Sequence, residues 1–178
     1  MPAVGFTVFD TALGACGIAW SDAGVAGVQL PEPDPSATLV RLRRRFPEAH
    51  ESAPPAHVQE AMDGIVALLG GARPDLAEVT LDWDGVGEFE RRVYEVARTI
   101  PPGATLTYGD VARRLGDASL ARAVGHALGR NPFAIVVPCH RVLGAGNTLT
   151  GYAGGLAVKQ ALLDLESRDQ PGQLKMAM

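Results

Sequence analysis

The chain has 178 residues, 47% apolar and 20% charged, with a net charge of −4; this describes a globular protein of one domain or two small ones and sets aside a disordered chain or a general polyanion binder. Two cysteines, Cys16 and Cys139, are too few for a disulfide framework and suit reduced thiols in a cytoplasmic setting, and the four histidines offer no metal-ligand spacing, so neither a metal nor a cofactor is expected. No apolar run approaches the roughly 20 residues of a membrane span, and the start Met1-Pro2-Ala3-Val4-Gly5 lacks the basic and apolar regions of a signal peptide.

Val4–Phe9, Gly17–Trp20 and Val25–Leu30 are predicted strands separated by turn residues, which suggests an antiparallel meander. Pro31-Glu32-Pro33-Asp34-Pro35 ends it, and Ser36 is the expected N-cap of a helix carrying Leu39, Leu42 and Phe46 at helical spacing. The charge run Arg41, Arg43, Arg44 and Arg45 reads as its solvated face. Residues 48–55 form a linker. Ala56–Leu69, with Val58, Met62, Ile65, Val66 and Leu69, is a predicted helix with one apolar face, and Val79–Trp83 a further strand. Residues 1–84 thus read as a small α/β domain, a small antiparallel sheet with helices, that carries no chemical motif.

Phe89, Val93, Val96, Ala97 and Ile100 recur at helical spacing, so residues 87–99 are a predicted helix broken by Pro101-Pro102-Gly103. Thr107 and Asp110 match a capping box that opens a helix through Leu115. Gly116-Asp117-Ala118 makes a turn, and a second helix follows over about 119–129. Helix, glycine turn and helix form a helix-turn-helix pattern in a mostly α C-terminal domain. Ala121, Ala123, Gly125, Ala127 and Gly129 give the second helix a face of small residues. Two readings stay open: helix packing inside the protein, or close approach to a nucleic-acid groove with Arg122 projecting.

Asn131-Pro132 ends that helix. The apolar run Ala134–Val137, a predicted buried extended segment, then delivers Pro138, Cys139, His140 and Arg141. With Pro138 at the first position of a helical turn, Cys139 would sit near free N–H groups and between two basic residues, surroundings that lower a thiol's pKa. The alternative is a buried core cysteine. A glycine-rich loop, Gly144–Gly155, follows; it lacks the Lys-Ser/Thr ending of a phosphate-binding loop. Leu156–Glu166 is a predicted helix with Val158, Ala161, Leu162 and Leu165 on its apolar face, and residues 167–178 are expected to form a mobile tail. Charge is unevenly spread: residues 101–160 hold six Lys/Arg against two Asp/Glu in an otherwise acidic chain, which suggests one local anion-facing surface.

Together, Tyr108, Ala121-Arg122-Ala123-Val124-Gly125, Asn131-Pro132, Val137-Pro138-Cys139-His140-Arg141-Val142, Gly151-Tyr152-Ala153-Gly154-Gly155-Leu156 and Lys159 through Glu166 resemble the O6-alkylguanine-DNA alkyltransferases. The resemblance covers about residues 87–166. It implies a ribonuclease H-like supporting domain over 1–84 and a winged-helix-like domain over 85–166 that binds duplex DNA as a monomer through its minor groove. It also implies that O6-alkylguanine is flipped out of the duplex, the general solution when chemistry must reach a base inside the stack, and that the alkyl group passes irreversibly to a cysteine. O4-alkylthymine is a further substrate for such a site.

By position, Cys139 resembles the alkyl acceptor, His140 the base that draws off its proton through a water, and Glu166 the carboxylate that orients His140. Thiol, base and orienting group are the parts of an activated nucleophile. Arg122 resembles the arginine that fills the gap in the base stack, with Ala121 and Gly125 beside it in the groove. Tyr108 resembles the tyrosine that turns the target phosphate and donates to the departing guanine, and Asn131 the hinge that ties the recognition helix to the nucleophile. Val142 resembles a residue whose carbonyl accepts from the guanine amino group; Tyr152, Ala153 and Gly154 resemble the pocket wall, and Arg141 a structural donor. Ala134 and Ala153 depart from the proline and serine that many or some members carry, which points to a roomier pocket, and His126 replaces a smaller residue. The competing readings are a damage-recognition protein without chemistry, a cysteine hydrolase or redox enzyme, and a transcription factor. Cys139 argues against the first, the helix-turn-helix pattern with Arg122 against the second, and a length that leaves no room for a regulatory domain against the third.

Overall fold

Buried positions that include Phe6, Phe9, Ile18, Trp20, Val25 and Val28 fold the N-terminal stretch into three strands, β1 (Gly5–Thr11), β2 (Gly14–Ser21) and β3 (Gly24–Gln29), paired antiparallel in sequence order. The computed structural model describes residues 2–152 and 154–167; Ala153 and the tail from residue 168 lie outside the described residues. The sheet is mixed rather than wholly antiparallel: the segment read as a linker contains β4 (His50–Glu51), which pairs parallel with β1 and gives the order β3-β2-β1-β4. Two residues of strand are too few for periodicity to show. The strand expected over Val79–Trp83 is one isolated bridge, Leu81 to Val25, because the Asp82 side chain turns the chain by accepting from the Asp84 N–H at 2.9 Å.

Helix α1 (Pro35–Arg45) is capped by Asp34, which accepts from the Ala37 N–H at 2.9 Å, and not by Ser36. Pro35 at the first helical position presets the backbone and moves the start two residues earlier than expected. α1 lies directly on β2: a Cβ on Gly17 would come within 2.4 Å of Leu42, so only glycine permits the contact. Helix α2 (Ala56–Leu69) buries Val58, Ala61, Met62, Ile65, Leu68 and Leu69, whereas Val66 is exposed.

Contacts divide the chain into two units. The first holds the residues up to Gly70, Pro74–Gly85 and Pro132–Val136; the second holds Gly71–Arg73, Val86–Asn131 and the residues from Val137 on. Within the first unit Phe133 bridges Val28 and packs edge-on against Trp83, and Arg45 donates to the Pro132 carbonyl at 3.2 Å. The run Ala134–Val137 is buried as expected but not extended throughout. Ile135 has φ +73°, and the Val136 N–H donates to the Ala134 carbonyl at 2.9 Å, a γ-turn that is strained for a β-branched residue.

In the second unit, α3 (Glu88–Ala97), α4 (Tyr108–Arg114) and α5 (Ala121–Gly129) pack on one another. The α4 capping box is complete: the Asp110 N–H donates to Thr107 Oγ1 at 3.0 Å and the Thr107 N–H to Asp110 Oδ2 at 2.9 Å. Gly116 at φ +101° and a 3₁₀ turn over Ala118–Leu120 join α4 to α5. The buried Tyr94 hydroxyl donates to the Ala127 carbonyl at 2.7 Å and anchors α5 to α3. β5 (Leu106–Thr107) pairs parallel with β6 (Val142–Leu143), and α6 spans Leu156–Ser167. Among the described residues no helix is long and apolar enough to cross a membrane.

Candidate active site

The described side chains that hold Cys139 lie in the second unit. Pro138 precedes rather than opens the helical turn: at φ −80°, ψ 65° it lets the Cys139 N–H donate to the Val137 carbonyl at 2.8 Å, and a 3₁₀ turn over Cys139–Arg141 follows. The side chain of Asn131, just past the end of α5, reaches over this turn. Its Nδ2 donates to the Val137 carbonyl at 2.9 Å and to Cys139 Sγ at 3.2 Å. One amide therefore fixes both the backbone before the cysteine and the sulfur itself.

The expected depression of the Cys139 pKa is not what the surroundings produce. Burial pushes the thiol up; Asn131, the Lys159 ammonium and the backbone N–H groups of Cys139 and His140 oppose that push without overcoming it. A three-residue turn has little dipole to offer. At rest the site holds a neutral thiol.

The turn sends His140 inward, where it is 0% exposed. Its Nε2 lies 3.0 Å from Glu166 Oε2. Glu166 also receives Arg141: Nε at 2.9 Å to Oε1 and Nη2 at 2.6 Å to Oε2, while Arg141 Nη1 donates to the Ile100 carbonyl at 2.6 Å. Burial alone would raise the Glu166 carboxyl, but hydrogen bonds from His140 and Arg141 outweigh it and hold the pKa at about 2. An ionised Glu166 only accepts, so the His140 proton is assigned to Nε2. Burial lowers the His140 pKa despite Glu166, so the ring is neutral and Nδ1 carries a lone pair. Nδ1 is buried and has no hydrogen-bond partner among the described residues. A buried base is thus oriented by a carboxylate, with its proton-accepting nitrogen unoccupied.

The buried positions of α6 are Lys159, Leu162 and Glu166; of the expected apolar face, Leu162 is buried, Val158 and Leu165 are half-buried and Ala161 is exposed. Lys159 went unassigned in the sequence. It is 0% exposed and donates to the Thr150 carbonyl at 2.7 Å; the spacing Lys159, Leu162, Glu166 was the available signal. Arg141 has the structural role expected of it.

Around this centre, Tyr108 opens α4, half-buried, and its hydroxyl meets Thr150 Oγ1 at 2.8 Å. On α5, Ala121 is half-buried and Arg122 exposed. A Cβ on Gly125 would lie 3.9 Å from the Tyr108 ring, so the small face packs internally at that point, whereas Gly129 faces open space. Val142 is buried in β6; Tyr152 and Gly154 are half-buried in the glycine-rich loop. The structure brings Cys139 together with Asn131, His140 with Glu166, and Tyr108 with Gly125. Ala153 lies outside the described residues. Among those residues no cluster of His, Cys, Asp and Glu is arranged to hold a metal.

The profile of the 6-O-methylguanine DNA methyltransferase DNA-binding domain matches residues 88–168. The methylated-DNA–protein-cysteine methyltransferase of Mycolicibacterium paratuberculosis is 50% identical over 118 residues, covering 65% of this chain and 72% of that protein. The protein of that name from Methanothermobacter thermautotrophicus is 36% identical over 157 residues, covering 88% and 82%. The crystal structure of Mycobacterium tuberculosis OGT in complex with DNA superposes with a TM-score of 0.76 at 34% identity, covering 98% of this chain and all of that one.

Proposed function

The chain belongs to the methylated-DNA–protein-cysteine methyltransferases, and from that premise we propose how its own residues carry out the transfer. The protein repairs DNA by taking the alkyl group from O6-alkylguanine onto a cysteine of its own. The acceptor is Cys139, and the observation that carries this reading is the neutral, carboxylate-oriented His140 beside it, with Nδ1 unpartnered. Residues 85–166 form the DNA-binding and acceptor domain, and residues 1–84 support it.

The sequence of events follows from the charges. Because Cys139 rests as a thiol, its proton must leave during the reaction. A water relays it to His140 Nδ1, and the imidazolium that forms is stabilised by Glu166. The thiolate attacks the O6-alkyl carbon, the carbon–sulfur bond forms as the carbon–O6 bond breaks, and the electron pair goes to the purine. Tyr108 donates to the departing purine, which would otherwise be a poor leaving group. The thioether has no route back, so each molecule acts once.

α4, the turn at Gly116 and α5 serve as the helix-turn-helix of a winged-helix-like domain. Ala121 allows close approach to the minor groove while Gly125 backs the Tyr108 ring, and Arg122, exposed on α5, enters the stack in place of the extruded base. Val142, Tyr152 and Gly154 line the base pocket. The protein acts as a monomer, and its two free cysteines suit the reducing cytoplasm.

Transfer of labelled methyl from an O6-methylguanine duplex tests the reading. Incorporation should saturate at one methyl per protein molecule with excess duplex. Turnover beyond one, or release of the label as a free product, would contradict it.

A further inference from the structure

We propose that Thr150, in the glycine-rich loop, is a positioning residue that prepares Tyr108 as a proton donor; the inference rests on the role given to Tyr108 above. Three contacts hold the tyrosine. The capping box fixes its backbone at the start of α4, Gly125 lies against its ring, and Thr150 Oγ1 donates to its hydroxyl oxygen at 2.8 Å. Thr150 is itself held, because the buried Lys159 ammonium donates to its carbonyl at 2.7 Å. A chain of hydrogen bonds thus runs from a buried cation on α6 through the loop to the phenol on α4.

The direction of the last bond matters. A phenol has one proton to give and two lone pairs to receive. By accepting from Thr150, the Tyr108 oxygen uses a lone pair and keeps its proton for a second partner. Accepting a hydrogen bond also polarises the phenol, since linked hydrogen bonds strengthen one another. The proton that remains is the one the departing purine needs. Thr150 touches no reacting atom in this scheme; it sets the orientation and donor strength of the residue that does. The buried Lys159, with no carboxylate within ion-pair distance among the described residues, then has a purpose: it keeps the loop carbonyl, and with it the threonine, in register.

The test is single-turnover methyl transfer on saturating O6-methylguanine duplex, with duplex affinity measured separately. The variants are Thr150→Val, which keeps the shape and removes the hydroxyl, Thr150→Ser, which keeps the hydroxyl, Tyr108→Phe, and Thr150→Val combined with Tyr108→Phe. Thr150→Val should slow transfer about fivefold, the size expected of one neutral hydrogen bond, at unchanged duplex affinity. Thr150→Ser should restore most of the rate, and Thr150→Val should have almost no effect once Tyr108 is Phe, because the two hydroxyls act as a unit. A Thr150→Val rate at or above wild type, with Tyr108→Phe slow, would overturn the proposal while leaving the role of Tyr108 intact; that is the outcome if the phenol spends its proton on the threonine. Equal losses from Thr150→Val in both backgrounds would reduce Thr150 to a packing role. Full activity of Tyr108→Phe would remove both the donor reading and the proposal.

Discussion

The two cysteines show how differently the two units treat the same residue. Cys16, in β2, is 0% exposed and has Thr11 Oγ1 at 3.7 Å; burial pushes its pKa to about 11. Cys139 meets the same push from burial, but Asn131, Lys159 and two backbone N–H groups oppose it. The contrast extends to the cores. The first unit buries one charged side chain among its described residues, Asp82, held by the Ser21 hydroxyl at 2.6 Å; the second buries His140, Arg141, Lys159 and Glu166. Buried charge is costly unless paired, and paired charge adds little net stability over a well-packed apolar core. Its concentration in one unit therefore marks a place where something other than stability is being served.

The largest effect is expected where the buried charges are uncoupled. Glu166→Ala leaves Arg141 buried without its carboxylate and His140 without its orienting group. Unfolding in denaturant should show a loss of about 3–5 kcal/mol, the size of a broken buried pair, and single-turnover assays a collapse of methyl transfer in the fraction that remains folded. Equal stability with and without the carboxylate would dissolve the contrast between the units.

Acid sharpens the same contrast. Glu166 is held at about 2 against an ordinary 4.5, and His140 below its ordinary 6.5. In both cases the unfolded chain binds more protons than the folded one, so stability rises with pH across these ranges. A His140 penalty grows as pH drops below 6.5, and the Glu166 contribution, full above 4.5, is lost as pH falls towards about 2. Denaturation at pH 7.5, 5.5 and 3.5 should show this decline, and Glu166→Gln should flatten its most acidic part.

Asn131→Ala removes the donor to the sulfur but leaves the relay. Transfer should slow by about ten- to a hundredfold, the range for one hydrogen bond to a charged group, at little cost to duplex affinity. The smallest effect belongs to the first unit. The exposed pair of Arg41 with Glu32, at 2.8 Å, should be worth under about 1 kcal/mol, and Arg41→Ala should leave transfer unchanged.

What the sequence made legible follows from how local each signal is. The capping box at Thr107, the meander and the spans of α2 and α3 depend on nearest neighbours and could be read directly. The relay of Cys139, His140 and Glu166 was reached through family resemblance, since nothing local ties position 140 to position 166. Periodicity reads apolar residues, so on α6 it found Leu162 but passed over the buried Lys159 and Glu166. It also had no means of seeing the positive φ at Ile135, a conformation its β-branched side chain argues against. The thiol's pKa was misjudged because motif chemistry weighed the neighbouring cations and left out desolvation, which is a property of the folded surroundings.

The most direct test of the account is the intact mass of the protein after mixing with a duplex carrying one O6-methylguanine, followed by peptide mapping, with Cys139→Ser in parallel. A single methylene gain in the wild type, located on the Cys139 peptide and absent from both the Cys16 peptide and the variant, is the expected result. A gain that persists in Cys139→Ser, or that maps to Cys16, would contradict it.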